Sequence, residues 1–189
     1  MSVRSGYVER AIPLLGCITK LDEPEKSASG QMMNKKIELD KLKNEGLPYR
    51  FCRKVAHDEL ATRIESYDID LLLSVARGGD DPTGGLSRRL RTMHNAAFTR
   101  AINISPEEKQ FYPKTEEDEK MIRSAGRIAL IDDVFTTGSS LLKVANMPCM
   151  EGEIAVAGVI WNRDDGTHTS NMPFPVESVV QKHIPLLET

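Results

Sequence analysis

No apolar run in this chain approaches the ~18 residues of a membrane-spanning helix, so a helical membrane protein is excluded. Long Lys or Arg runs are missing too. With 25 basic against 28 acidic side chains the formal net charge is −3, which argues against non-specific nucleic-acid or anionic-membrane binding as the main activity. Cysteine is scarce: Cys17, Cys52 and Cys149 are odd in number, far apart and without a CxxC pair. That excludes a disulfide framework or a cysteine zinc site and fits a reducing cytoplasm. Internal repeats and low-complexity tracts are absent. No GxxxxGK[ST] occurs and no GxGxxG follows a strand, so a P-loop NTPase and a dinucleotide Rossmann enzyme both lack their phosphate loops.

What remains is a globular balance, 40% apolar and 28% charged, over 189 residues, the length of one domain. Arg4 and Arg10 with the stretch Ala11 to Ile18 loosely resemble an export signal. Glu9 abuts that stretch and Pro13 interrupts it, so the expected location stays cytoplasmic.

Residues 1 to about 50 are polar and punctuated by Pro24, Gly30, Gly46 and Pro48, which reads as an irregular flap. Ala56, Leu60, Ile64 and Tyr67 recur at helical spacing and lead into Ile69 to Ala76, a buried strand. Arg77-Gly78-Gly79 ends it. Leu86, Leu90 and Met93 mark a second helix whose other faces carry Arg88, Arg89 and Arg91, and a strand is expected near 97–104. Residues 105–126 are too polar for core and read as a long loop of the kind that forms lids. Arg127 to Val134 is a strand ending in two carboxylates. A short helix with Leu141, Leu142, Val144 and Ala145 buried follows and stops at Pro148. Ile154 to Trp161 is a further strand, and an edge strand near 175–180 lies against the N-terminal flap. Strand, helix and strand alternate, so the fold class is α/β with a mostly parallel sheet flanked by helices.

Ligands of such sheets bind beyond the carboxyl ends of the strands, where Asp132 and Asp133 stand. Phe135-Thr136-Thr137-Gly138-Ser139-Ser140 then supplies consecutive backbone N–H groups, small hydroxyls and a glycine ahead of a helix, a cradle for phosphate. Carboxylates for sugar hydroxyls beside a phosphate cradle imply a phosphorylated polyol as ligand. An ordinary helix N-cap after acidic strand-end residues covers either half alone but fits their conjunction poorly. The pair His57-Asp58 resembles a metal-dependent phosphohydrolase dyad, but with no other ligands nearby it reads as a solvated or capping pair at a helix head.

The run Ile128 to Ser140, four apolar residues, two acids, two apolar residues, Thr-Thr-Gly and a small hydroxyl, resembles the phosphoribosyl-pyrophosphate (PRPP) motif of the type I phosphoribosyltransferases. Val75 to Gly79 is placed like that family's pyrophosphate loop and 105–126 like its mobile catalytic loop. The resemblance therefore covers about 56–161, with a small hood from about 1–50 plus 165–189. Gly158 to Gly166 and the tail Pro173 to Val180 are similar to the orotate branch.

This resemblance implies transfer of the 5-phosphoribosyl group of PRPP to orotate, giving orotidine 5′-monophosphate and pyrophosphate. Asp132 and Asp133 would hold the ribose hydroxyls. Val134, Phe135, Thr136, Thr137, Gly138, Ser139 and Ser140 would bind PRPP. Ala76, Arg77, Gly78, Gly79 and Arg100 would receive pyrophosphate, and Thr136 and Arg163 the base. Lys109 or Lys114 would enter the site on loop closure, from a neighbouring subunit of a homodimer. Mg²⁺ would be carried mainly by PRPP oxygens, with no protein metal cage.

Other readings remain open at this stage. Arg163 also reads as a surface arginine paired with Asp164 or Asp165, and Arg100 as solvent-exposed. Loop 105–126 holds only Lys109, Lys114 and Lys120 and no histidine, and Asp80 to Gly85 lengthens and acidifies the pyrophosphate loop. A purine or another base as acceptor, or a non-catalytic PRPP or nucleotide sensor with Arg88, Arg89 and Arg91 as an RNA face, are the alternatives.

Overall fold

The structure is a computed structural model that describes residues 2–26, 32–43, 46–75, 78–87, 89, 95–104 and 109–184. Its centre is a six-stranded sheet of β3 (Leu71–Ser74), β4 (Asn95–Asn103), β5 (Lys109–Pro113), β6 (Arg127–Phe135), β7 (Glu153–Asn162) and β8 (Val176–Gln181). The spatial order is β5-β4-β3-β6-β7-β8. All neighbours are parallel except β4 and β5. Strands buried on both faces read as continuous apolar runs, which is why Leu71 to Leu73 and Ile128 to Ile131 carry no alternation.

Successive side chains still divide between the two faces. Leu72, Ala129, Ile131 and Ile160 pack under α1 (Val3–Leu14) and α2 (Leu47–Ile64). Leu71, Leu73, Ile128, Leu130 and Val159 pack under α4 (Glu116–Ser124) and α5 (Ser139–Ala145). Helix α3 (Asp80–Ser87) follows β3 at the middle of the sheet. Among the described residues no helix is long and apolar enough to cross a membrane.

Four sequence expectations change. The N-terminal flap is ordered: α1 packs on α2 and β8, followed by an antiparallel hairpin of β1 (Ile18–Lys26) and β2 (Met32–Ile37) and a 3-10 turn over Leu39–Lys43. Helix α2 begins at Leu47 rather than near Ala56, because Pro48 sits in the first turn, where its missing N–H costs nothing. The acidic Asp80 to Gly85 segment is the start of α3 rather than a lengthened loop, its two carboxylates favoured by the positive helix end. Leu90 and Met93, expected on this helix, lie outside the described residues.

The fourth change concerns 105–126. This stretch holds strand β5 and helix α4 instead of a long lid; residues 105–108 lie outside the described residues. Phe111 is buried on β5, and Ile122 on α4 is fully buried. Thr115 caps α4 by accepting from Asp118 N at 3.1 Å while the Asp118 carboxylate accepts from Thr115 N at 3.0 Å. The same carboxylate accepts from Phe98 N at 2.8 Å, tying the helix to β4.

Candidate active site

Strand order reverses between β3 and β6: the chain leaves β3 for β4 on one side and returns to β6 on the other. A crevice opens there beyond the carboxyl ends of the two strands. From β3 come Gly78 and Gly79; Ala76 and Arg77 lie outside the described residues. From β6 come Asp132 and Asp133, both half-buried. A methyl group at Gly78 would overlap Asp133 Oδ1 and stand 2.7 Å from Asp132 Oδ1. One at Gly79 would collide with the Ile131 carbonyl, which accepts from Val75 N at 2.8 Å. Both glycines are therefore demanded by close approach of the turn to the end of β6.

The carboxylates are under-compensated. Burial first, and then the charge of Asp133, raise the Asp132 pKa well above the usual carboxylate range, with Lys109 opposing. Burial also raises Asp133, and Asp40 of the 3-10 turn adds to it. Asp132 Oδ1 accepts from Asp133 N at 2.9 Å. Such a pair gains by receiving hydroxyl donors or a cation-bearing ligand.

Beyond Asp133 the side chains divide by role. Val134 is half-buried against the α1–α2 side of the sheet and the Phe135 ring is buried on the α4–α5 side, so the two anchor the turn from both faces. Gly138 has φ of 75° and caps α5. A side chain there would also meet Met172 Sδ at 2.6 Å and Phe135 Cε2 at 3.0 Å. Thr137 Oγ1 accepts from Ser139 N at 3.4 Å, and Ser139 and Ser140 form the first turn of α5, whose N–H groups have no partner within the helix.

Thr136 faces a cavity of about 200 Å³ that it shares with Arg163 and His183. The structure thus brings together the two residues expected at the base. Arg163 is only 4% exposed. Its Nε and Nη2 donate to the Ile184 carbonyl at 3.3 and 3.0 Å, and its Nη1 lies 3.8 Å from Met33 Sδ of the hairpin. Burial lowers its pKa. The surface pairing of Arg163 with Asp164 or Asp165 is therefore overturned. Asp164 is itself buried and organises the following loop. Its carboxylate accepts from Gly166 N at 3.0 Å, His168 N at 3.1 Å, Thr169 N at 2.8 Å and Thr169 Oγ1 at 2.8 Å. Burial pushes its pKa up, but these donors outweigh it and the net shift is downward.

The remaining expected residues divide. Arg100 is exposed on β4, two positions beyond Phe98, the register partner of Ser74. Lys114 holds its ammonium 5.7 Å from the centre of the Phe98 ring on β4. Lys109 is at the start of β5, close enough for its charge to act on Asp132.

Sequence reasoning missed a second layer. His57 is buried rather than solvated, its Nε2 3.4 Å from Asp81 Oδ2, with Arg53 Nη1 3.6 Å from Asp81 Oδ1. These contacts pin α3, and with it the Gly78–Gly79 turn, to α2. Asp58 instead accepts from Arg89 Nε and Lys54 Nζ, the latter at 3.4 Å. The Asp164 loop was also missed, although Asp-Asp-Gly-Thr is an Asx-turn signal.

No protein-family model matches the chain, and no curated protein matches it in sequence. Solved structures do. Orotate phosphoribosyltransferase from Aeropyrum pernix superposes with a TM-score of 0.65 at 20% identity, over 92% of this chain and 93% of that one. Orotate phosphoribosyltransferase from Mycobacterium tuberculosis in complex with PRPP gives 0.63 at 13% identity, over 94% and 95%. Adenine phosphoribosyltransferase from Thermoanaerobacter pseudethanolicus gives 0.65 at 16% identity, over 92% and 99%. With its reversed strand order, acid pair and Thr-Thr-Gly turn, the chain has the fold of the type I phosphoribosyltransferases.

Proposed function

We propose that the protein transfers the 5-phosphoribosyl group of PRPP to a nucleobase, with orotate as the favoured acceptor. The observation that carries this reading is the meeting of three elements in one crevice: the Gly78–Gly79 turn, the Asp132–Asp133 pair and the Thr136 to Ser140 turn, opening onto the cavity of Thr136 and Arg163. In the reaction the bond from the anomeric carbon to pyrophosphate breaks and a bond to the ring nitrogen forms, with oxocarbenium character between. Asp132 and Asp133 hold the ribose hydroxyls and favour the transient positive charge. Thr137, Gly138, Ser139 and Ser140 anchor the 5′-phosphate, and Gly78 and Gly79 lie where pyrophosphate departs. Fixing the sugar in this way supplies orientation before chemistry.

Among the described residues no group of three or more His, Cys, Asp or Glu is disposed to hold a metal. The raised Asp132 and Asp133 carboxylates fit contact with a cation delivered on the ligand. Mg²⁺ carried on PRPP oxygens would neutralise the departing pyrophosphate, with this pair as its protein neighbours.

The test mixes the protein with PRPP and Mg²⁺ and adds orotate, uracil, hypoxanthine, xanthine, guanine or adenine separately, measuring pyrophosphate release. Turnover with orotate alone is the expected result. Turnover with another base alone replaces the acceptor and keeps the donor site, while PRPP binding without turnover on any base rejects the transferase reading in favour of a sensor.

A further inference from the structure

We propose that His183 selects the acceptor: its Nε2 accepts a hydrogen bond from a ring N–H of the incoming base, so the cavity takes lactam and imide rings and rejects aminopurines. The inference rests on the phosphoribosyl-transfer reading and names the substrate class of its base cavity.

The argument starts from one contact. His183 Nδ1 lies 3.1 Å from the Arg163 carbonyl oxygen. A carbonyl only accepts, so Nδ1 carries the proton, and in the neutral ring Nε2 is left as a bare acceptor. The ring stands exposed at the rim of the cavity, over a main chain that is itself fixed. Lys182 N donates to Asn162 O at 2.9 Å, Ile184 N donates to Arg163 O at 3.2 Å, and Trp161 Nε1 donates to Lys182 O at 3.3 Å.

The charged groups deepest in the cavity are already engaged by the protein. Arg163 places Nε and Nη2 on the Ile184 carbonyl, and Asp164 is saturated by the N–H groups and hydroxyl of its own loop. Asp165 Oδ1 accepts from Thr167 N at 3.0 Å. The charged and titratable groups around His183 are thus Arg163, Asp164, Asp165, His168 and, next along the chain, Lys182, which pairs with Glu9 at 2.9 Å. Orotate, uracil and the 6-oxopurines carry an N–H beside a carbonyl on the ring edge. Adenine presents a bare ring nitrogen there, so acceptor would face acceptor and neither group would be paired.

The experiment compares the wild type with H183N and H183Q. Asparagine keeps a donor for the Arg163 carbonyl and ends short of Nε2, whereas the Gln Oε1 reaches where Nε2 stands. For the lactam base turned over, KM is expected to rise about tenfold in H183N, the size of one neutral hydrogen bond, and to return to within about threefold of wild type in H183Q. The KM for PRPP and the melting temperature are expected to hold in both. An unchanged base KM in H183N, or wild-type use of adenine as efficient as that of any lactam base, overturns the assignment. If no base is turned over, the transfer reading fails separately. Calorimetric titration of orotate and adenine into wild type and H183N then decides: tighter orotate binding that weakens in H183N supports the role of His183, and equal or absent orotate binding overturns it.

Discussion

Gly78 lies so close to Asp133 that a β-carbon on it would overlap the carboxylate, leaving no room for a side chain between the turn after β3 and the end of β6. G78A must displace either the turn or the acid pair. Shifts of about an ångström at a reacting centre cost on the order of 100-fold in rate. We expect kcat/KM for PRPP to fall by about that factor, with a stability loss of about 1–3 kcal/mol from overpacking. Steady-state pyrophosphate release and thermal melts measure the two. Turnover at the wild-type level would show that the glycine contact does not position the pair.

The acid pair carries a stability cost that its removal should reveal. Both carboxyls have folded pKa values above their unfolded ones, so the folded state binds the extra protons and stability declines as pH rises through that window. D132N and D133N are each expected to stabilise the free protein by about 1 kcal/mol near neutrality and to abolish turnover. The gain should vanish below about pH 3.9, the unfolded carboxylate value, where folded and unfolded states are both protonated. Melting curves at both pH values check this, and a gain that persists in acid would refute the electrostatic origin.

Asp164 has the opposite sign. Its folded pKa is depressed, so its contribution is present above the unfolded value and is lost as pH falls through the folded one. D164N replaces charge-assisted bonds to three backbone N–H groups and is expected to cost about 2–3 kcal/mol at neutrality, with the difference shrinking in acid. The base KM should rise with it, since this loop walls the cavity of Arg163 and His183.

Thr115 distinguishes scaffold from lid. T115A removes the reciprocal cap of α4 and is expected to cost about 1 kcal/mol of stability while leaving kcat and both KM values unchanged. A changed kcat with an unchanged melting temperature would restore the reading of this stretch as a moving catalytic element.

The residues that defeated sequence reading did so for physical reasons. Strand β6 and its turn were legible because apolar residues, two acids and Thr-Thr-Gly occur consecutively. Helix α4 was not, because its composition is dominated by the exposed face; the Thr115–Asp118 box and the pair Met121 and Ile122 were the available signals. The start of α2 was hidden by treating Pro48 as a breaker where it serves as an initiator. The partner of Arg163 was beyond reach in principle. Its guanidinium binds a main-chain carbonyl 21 residues away, and every residue type offers the same oxygen.

The segment 181–184 that clamps Arg163 and carries His183 has one more consequence, set by the direction of synthesis. Residues 78–140, which carry the crevice, leave the ribosome before most of the residues that wall the cavity beside Thr136. Domains fold as units, so the crevice between β3 and β6 and the cavity beside Thr136 take shape together, once the chain through 184 has emerged. The pairing of β8 with β7 and the bonds from 182–184 to 161–163 close that cavity from the tail side, so a change in these last described residues reaches the same space as one in the Thr136 turn.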